Sequence, residues 1–440
     1  MCLGLGPVCL REAELNASIY FTICARNYLA FALACRASLL RAKPDARFII
    51  FLADDPLAEE IEGVEIVPVG QMDVPRLYEM AFRYDVMEFC TALKPVAFRY
   101  VFDQLGAETG VYLDADTFVL RSLHAVKEGF AEGAEALLTP HLTAPLPADG
   151  LLPGDLEILA SGAFNAGFLA FRDTPSARRF LDWWEGHLQR DCVVDASRSL
   201  FADQTYLQMA PGFLGTCRIV RDPGYNLAYW NLSQREVAGE GEQLTANGEP
   251  LVFCHFSGAS PDRPEIFSRH QTRFGLADLP RPLQALFADY LQRVREAGHD
   301  RFRAIPYGFA AYTDGTPIPS VARKLPRALS EPEWADRETA FRPDHAALNR
   351  PSPRVDPDPA APITVLMHAI YDRRPDLNAA FPLGTRAGRH GYYQWFMRYI
   401  AAEKALPEVF LAPAQQGGGQ LWLHRLKNRL GRLKRGGRPG

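Results

Sequence analysis

Four short stretches carry side chains able to do chemistry. In Leu113-Asp114-Ala115-Asp116-Thr117, two carboxylates occupy alternate positions within the apolar run VYLDADTFVL at 111–120. Alternate residues of a strand face the same way, and open α/β sheets collect ligands at strand ends. The pair therefore offers two hard oxygen ligands suited to Mg²⁺ or Mn²⁺, with the metal in turn holding phosphate oxygens. Two solvated acids in a loop is the simpler alternative. His255, in FCHFSG at 253–258, ends an apolar run just before a glycine turn. It is either a third metal ligand or a satisfied core histidine. Asn165, in FNAGF at 164–168, is a polar group inside an apolar run and needs partners from backbone or ligand. Asp203-Gln204 opens a helical pattern, where Asp203 either caps the helix or faces a ligand.

The elements that must position these residues alternate as in an α/β domain. Strand patterns run over 18–23, 47–52, 64–69, 111–120, 161–171 and 251–256. Helical patterns run over 28–40, 180–188, 203–209 and 283–297, and over 85–104 with a break expected at Pro95. Beyond about residue 275 the texture changes. A helical extension is expected over 276–325, a Pro-rich linker or strap over 326–362, and a small α/β segment over 363–414 with a strand at 363–370 and a helix at 392–403. A flexible basic tail follows over 415–440. No internal repeat is visible.

The 440 residues are 48% apolar and 23% charged, which excludes wholesale disorder. The formal charge of −4 gives no whole-protein basic field for nucleic acid. That total is a cancellation: residues 421–440 hold seven bases and no acid, leaving 41 bases against 52 acids elsewhere, a formal charge of −11. In the tail, Leu423, Leu426, Leu430 and Leu433 form one helical stripe with bases on the other faces. Such a segment predicts contact with an anionic membrane surface; a solvated tail, or one lying on the acidic body, is the alternative. The eight cysteines include no close C-x-x-C pair and sit mostly among apolar or small residues, as free thiols of a reducing cytosol do. No apolar run approaches the length needed to span a bilayer, and the N-terminus lacks a secretory layout. The expected location is cytoplasmic, with peripheral association to the inner face of the membrane through the tail.

Six segments, in order, resemble retaining GT-A glycosyltransferases, especially glycosyltransferase family 8 and its bacterial polysaccharide and lipopolysaccharide relatives. They are TICARNYLAFALACRASL at 22–39, ALKP at 92–95, YLDADTFV at 112–119, FNAGFLAF at 164–171, DQTYLQ at 203–208 and HFSG at 255–258. The resemblance covers residues 18–260 and implies a GT-A domain over 1–275, that is, a Rossmann-like mixed sheet of the nucleotide-diphospho-sugar transferase type, with a mainly helical or irregular C-terminal extension. It implies that Asp114, Asp116 and His255 bind Mn²⁺ or Mg²⁺ bridging the diphosphate of a nucleotide sugar. Backbone around Cys24 and Ala25, with Asn27 and Tyr28, would meet the nucleotide. Lys94 would lie near the donor, and Ala115 would leave room at the ribose. Asn165 would bond the transferred sugar, with Gly167 and Gly258 also at the donor, and Asp203 and Gln204 would flank the reacting carbon. Family members commonly follow the histidine with Gly-x-x-Lys-Pro-Trp. Here HFSG continues as ASPDRPEIFSRH with no lysine, so either Arg263 or Arg269 substitutes, or phosphate binding is weaker or is completed elsewhere. The aromatic-rich GYNLAYWN at 224–231 resembles a stretch that bacterial relatives carry before this histidine, and Arg373 to Leu377, Ala380 to Pro382, Gly391 and Trp395 resemble a segment of large bacterial polysaccharide glycosyltransferases.

The expected chemistry is transfer of a sugar from a nucleoside diphosphate donor, UDP-linked by resemblance, to a glycan or lipid-linked glycan in surface polysaccharide synthesis, with retention of configuration. A divalent metal stabilises the leaving diphosphate while the anomeric carbon becomes oxocarbenium-like. An amide is a poor nucleophile, so front-face attack with Gln204 as a polar stabiliser is favoured, and Asp203 is the alternative nucleophile. A catalytically degenerate sugar-nucleotide-binding or scaffold protein is the competing expectation. A sugar nucleotidyltransferase ranks below it, because TICARNY lacks that class's Gly-rich loop.

Overall fold

Residues 19–24, IYFTIC, have no polar face to turn to water, and every one of them is buried. They form β1 (Ile19–Cys24) near the middle of a seven-stranded sheet. The computed structural model describes residues 18–400 and 406–411. After β1 come helix α1 (Leu29–Ala42) and strands β2 (Arg47–Leu52) and β3 (Glu65–Pro68), then helix α2 (Lys94–Asp103), β4 (Thr109–Leu113), the short β5 (Thr117–Val119) and β6 (Ala136–Pro140). Helix α3 (Asp155–Ser161), β7 (Phe164–Arg172), helix α4 (Pro175–Asp191), β8 (Cys217–Ile219), β9 (Phe253–His255) and helix α5 (Arg281–Glu296) complete the set used below. The sheet order is β8-β6-β7-β4-β1-β2-β3. All neighbours are parallel except around β7, which runs antiparallel to both β4 and β6. The expected mixed α/β sheet is therefore present.

This one reversed strand decides where a site can form. The C-terminal ends of β1, β2, β4 and β6 share one edge of the sheet. Because β7 is reversed, its N-terminal residues Phe164 and Asn165 lie at that same edge, opposite Pro140 and Thr139. A separate two-stranded ribbon, β5 paired antiparallel with β9, places His255 opposite Thr117.

Local signals explain most boundaries. The expected break in 85–104 falls at Leu93. Helix Val86–Ala92 starts on a capping box between Asp85 and Glu88, and α2 begins at Lys94 with Pro95 in its first turn, where a missing N–H costs nothing. Helix α4 is capped by Thr174 and has Pro175 in its first turn. The expected continuous strand at 111–120 is instead two strands, because Thr117 N–H bonds back to Asp114 O at 3.0 Å and turns the chain. Of the expected strand at 161–171, Ser161 belongs to α3 and the strand starts at Phe164.

The chain divides after Gly308 into two compact units. In the first, α5 joins the main core: Tyr290 stacks on Phe256 at 4.5 Å and meets Phe118 at 5.6 Å, bracing the β5–β9 ribbon. Residues 276–308 thus belong to the unit that holds the sheet.

In the second unit, the strand expected at 363–370 is a helix, α6 (Val365–Asp372). Thr364 caps it by accepting from Met367 N–H at 3.1 Å, and Leu366, Met367, His368 and Ala369 are buried. The apolar run was too short for its period to separate strand from helix, and the cap decides it. No strand occurs among the described residues of 363–414, which corrects the α/β expectation there. Helix α7 (Arg386–Trp395), capped by Thr385, continues to Ile400, and Tyr392 packs in a small core with Met367 and Phe396. The expected strap at 326–362 holds three short helices. Residues 401–405, of which 401–403 fall in the helix expected at 392–403, lie outside the described residues, as do the tail and Cys2 and Cys9; the six described cysteines are all free thiols. Among the described residues no helix is long and apolar enough to cross a membrane.

Phe98 on α2 stands behind the site edge, fully buried, with its ring 4.8 Å from Phe21 and 4.9 Å from Phe171. Phe98→Ala should cost about 3–5 kcal/mol through lost burial and a residual cavity. Urea unfolding should show a lowered midpoint with an unchanged slope.

Candidate functional site

The turn after β4 brings Asp114 and Asp116 together, and the β5–β9 ribbon delivers His255 to them. Asp114 N–H bonds Gly167 O at 2.8 Å, and Phe256 N–H bonds Asp116 O at 3.0 Å. His255 Nε2 lies 3.0 Å from Asp116 Oδ1 and 3.5 Å from Asp114 Oδ2. One ligand atom from each of the three residues falls within 4.8 Å of the others. The two acids therefore converge through a turn and not through strand alternation. Burial alone would keep His255 neutral, but the Asp116 and Asp114 carboxylates outweigh it and raise its pKa. The same contact outweighs burial at Asp116 and lowers that carboxyl's pKa.

Two hard oxygens and one imidazole nitrogen, in a pocket where His255 is 4% exposed, suit a divalent cation with further positions for ligand oxygens. The cradle around the imidazole supports that fit. A Cβ at Gly167 would lie 2.6 Å from His255 Nδ1 and 2.8 Å from Asn165 Oδ1, so only glycine leaves the ring its seat. Gly258, at φ +79°, does the same for the next loop, since a Cβ there would meet His270 Cδ2 at 2.5 Å. These two glycines act by giving room.

Beside the cluster is a buried ion network. Lys94 is 1% exposed; its ammonium donates to Ala166 O at 3.0 Å and pairs with Asp203 Oδ2 at 2.8 Å, with Asp114 Oδ1 at 3.7 Å. Burial pulls the Lys94 pKa down, and the Asp114 and Asp203 carboxylates more than offset it, so the ammonium stays charged. Burial pushes Asp203 up, with Lys94 opposing. Asp203 makes no side-chain cap, so the capping alternative does not hold. Tyr112 lies under Lys94, at 4.6 Å from its ring centroid, and donates its hydroxyl to Asp114.

Gln204 and Asn165 belong to a second network. Gln204 Oε1 accepts from Ala166 N–H at 2.9 Å and from Asn165 Nδ2 at 3.3 Å, while its Nε2 donates to Ser161 O at 2.8 Å. Asn165 Oδ1 accepts from Gly167 N–H and from Asn226 Nδ2, both at 3.0 Å. Asn226 takes a left-handed φ of +56° and is buried, a conformation asparagine tolerates. His141 bonds Gly162 O through Nδ1 at 2.7 Å, and burial pushes its pKa down to about 4. The ring is therefore neutral at pH 7, with Nε2 facing Asn165 Nδ2 at 3.4 Å.

The remaining expected residues lie at the same edge. Cys24 and Ala25 end β1 buried, with their carbonyls taken by Ala53 N–H and Tyr28 N–H. Ala115 is 5% exposed between the two acids. Tyr28 stacks on Phe31 at 4.0 Å and hydrogen-bonds Asp116 through its hydroxyl. Asn27 is half-buried, and its side chain has no hydrogen bond among the described residues. Of the two arginines, Arg263 is paired with Glu265 at 2.6 Å. Arg269 has no carboxylate partner among the described residues, and its charge acts on Tyr28 and His270 at the cluster.

Residues outside the sequence expectation also build the site. Asp54, at the end of β2, is 1% exposed and accepts N–H bonds from Arg26, Asp55 and Gly308 while pairing with the Arg26 guanidinium at 3.1 Å. Trp230 is wedged edge-on between His141 and His255, at 5.4 and 5.2 Å. Asp54 follows the run RFIIFL as a strand-end acid, a signal that was available, and Trp230 lies in the aromatic-rich stretch at 224–231; His141 had no such signal.

Gly167→Ala should displace the His255 ring and weaken Mn²⁺ binding, read by electron paramagnetic resonance of free Mn²⁺, by about tenfold or more. Lys94→Met should destabilise the fold by about 3–5 kcal/mol by stranding Asp203, and adding Asp203→Leu to it should recover much of that loss in urea unfolding.

No family model matches the chain. It is 25% identical over 249 residues to the uncharacterized protein YfnF of Bacillus subtilis, covering 55% of this chain and 81% of that one. The same identity over the same length holds for the uncharacterized protein YfnD of that organism, at 54% and 77% coverage. Among solved structures, the chain is similar to the galactosyltransferase LgtC in complex with donor and acceptor sugar analogs, with 14% identity, a TM-score of 0.39, and coverage of 66% of this chain and 97% of that one. It is also similar to the glycosyltransferase GlyE of Streptococcus pneumoniae, with 14% identity, a TM-score of 0.34, and coverage of 67% of each chain.

Proposed function

We propose that this chain is a metal-dependent glycosyltransferase of the GT-A type, moving a sugar from a nucleoside diphosphate donor to a glycan or lipid-linked glycan with retention of configuration. The observation that carries this reading is the convergence of Asp114, Asp116 and His255 at the sheet edge, directly beside the buried Asn165, Gln204 and Asp203 network. Asp114, Asp116 and His255 would hold Mn²⁺ or Mg²⁺, which when bound supplies positive charge to a leaving diphosphate.

The chain's own residues then divide the work. Asn27, in the 3-10 turn that follows β1 and with no side-chain hydrogen bond among the described residues, bonds the nucleotide, against the small floor of Cys24 and Ala25. Ala115 leaves space between the acids for the ribose. Arg269, which has no carboxylate partner among the described residues and donates to His270 Nε2 at 3.4 Å, would meet the diphosphate, whereas Arg263 is already neutralised by Glu265. Lys94 acts through the carboxylates it holds, because its ammonium is enclosed by Ala166 O, Asp203 and Asp114. Asn165 orients the transferred sugar.

The same contacts bear on how configuration is retained. Asp203 is neutralised at 2.8 Å by a buried ammonium, and Gln204 spends both ends of its amide on Ala166, Asn165 and Ser161. A carboxylate so paired is a weakened nucleophile, and an amide is a poor one. Both features favour attack by the acceptor hydroxyl on the face the diphosphate leaves, with Gln204 keeping Asn165 and the β7 end in place. Asp203 as an enzyme nucleophile is the alternative, and a trapped glycosyl adduct on Asp203 would establish it.

The competing reading is a sugar-nucleotide-binding protein without transfer activity. Incubation with a panel of nucleotide sugars and Mn²⁺ distinguishes the two, since an enzyme slowly releases free nucleoside diphosphate from one donor and a binder releases none. Asp114→Ala should lower that release by about 10²-fold or more, and EDTA should do the same to the unsubstituted protein. Full activity of Asp114→Ala in EDTA would sink the metal-dependent reading.

A further inference from the structure

The turn that carries Asn27 is held from a distance. It is a single 3-10 turn, Arg26–Tyr28, between β1 and α1, and its N-cap position is Ala25, which has no side-chain oxygen to offer. So short an element has little stability of its own. The Arg26 N–H at its start is one of the orphan donors that a helix end leaves. Asp54 takes it, accepting through Oδ2 at 3.1 Å from 28 positions further along the chain. The carboxylate is fully buried, and its negative charge stands at the N-terminal end of the turn and of α1, where a helix favours it.

The rest of Asp54 is committed to the same frame. Its Oδ1 accepts from Asp55 N–H and Gly308 N–H, both at 2.8 Å, and lies 3.1 Å from Arg26 Nε. The far end of the Arg26 guanidinium donates to Pro306 O at 3.0 Å. A Cβ at Gly308 would stand 2.7 Å from Asp54 Oδ1 and closer still to Asp55 Oδ2, so the chain passes this near only as glycine. On the other side of Asn27, Tyr28 is fixed by its stack on Phe31, whose ring meets His299 edge-on at 5.7 Å. Asn27 is the residue of the turn whose side chain makes no hydrogen bond among the described residues, and both of its neighbours are clamped.

We propose that Asp54 is a positioning residue for nucleotide recognition, acting through Arg26 to hold Asn27 in place against the nucleoside of the donor. The proposal rests on the reading of this chain as a transferase that takes a nucleoside diphosphate. An amide with no protein partner is placed only as well as its backbone is, and an error of about 1 Å in a positioned group can cost about 10²-fold. Asp54 removes that freedom at the residue before Asn27, as the Phe31 stack does at the residue after it. The metal cluster is held differently: Asp114 and Asp116 by the turn after β4, and His255 by the β5–β9 ribbon. Asp54 therefore governs the nucleoside end of the donor and leaves the metal end unaffected.

The experiment uses Asp54→Asn, which keeps the size of the side chain and removes its charge. In the orientation that retains two bonds, the amide oxygen still accepts from Asp55 and Gly308, while the amide nitrogen faces the Arg26 N–H and the bond there is lost. Two affinities are measured on the full-length parent and variant: that for ADP, CDP, GDP, UDP and dTDP by calorimetry in Mn²⁺, and that for Mn²⁺ alone by electron paramagnetic resonance. The expected result is a loss of at least about tenfold for the nucleoside diphosphate that the parent binds tightest, with Mn²⁺ affinity within about twofold of the parent. Equal nucleotide affinity in parent and variant would overturn the proposal and leave the transferase reading standing. Parallel loss of nucleotide and Mn²⁺ would also overturn it, since Asp54 would then hold only the fold. A parent that binds none of these diphosphates overturns the transferase reading and the proposal with it.

Discussion

A buried ammonium is the interaction on which the candidate site depends. Lys94 sits at the start of α2 with almost no exposure and bonds three separate segments: the β4 turn through Asp114, β7 through Ala166 O, and the 204–209 helix through Asp203. Taking a charge out of water costs several kcal/mol even after relaxation. The protein tolerates it only if the compensating groups stay in place. The requirement runs both ways, because Asp203 is itself buried and Lys94 is the cation that holds it. The geometry of four chain segments is therefore coupled through one side chain.

Around that ion network the site is assembled by exclusion as much as by attraction. β7 can run reversed between β4 and β6 and still bring Asn165 to the edge because Gly167 has no Cβ to strike the His255 ring. The β5–β9 ribbon can bring His255 to Asp116 because α5 stacks Tyr290 on Phe256 behind it. The loop after His255 can fold back because Gly258 takes a positive φ under His270. Each accommodation is steric, and each positions a group whose role is electrostatic.

The polar interior makes the same point about precision. Asn165, Gln204, Asn226 and His141 bond one another and the backbone around them, and His141 is held neutral by burial. Such a network rigidifies a site when its groups are satisfied. Here it holds the two side chains that resemblance assigns to the sugar, Asn165 and Gln204. The amide of Gln204 is consumed by this task, which shifts its proposed part from meeting the reacting carbon to fixing what surrounds it.

Much of this was legible in the residues alone. Apolar runs such as RFIIFL and IYFTIC announced buried strands, the D-x-D pair and His255 announced side chains able to hold a cation, which the fold brings together, and Pro95 announced the break ahead of α2. These are local properties, set by side-chain period, hydrogen-bonding capacity and ring sterics. The sequence did not show that Asp114 and Asp116 meet through a turn, since strand alternation and a tight turn predict the same convergence. Nor did it show that ITVLMHAI is helical, because so short a mostly apolar run fits either period until Thr364 caps it. It was silent on Lys94 pairing with Asp203, on Trp230 between two histidines, and on Glu265 taking Arg263 while Arg269 meets His270. Those depend on which residues lie within a few ångströms after a long stretch of intervening chain, and sequence distance carries no information about that. The residue types of the site were written in the chain; their partners, charge balance and available room were decided only when the reversed strand and the ribbon brought them to one edge.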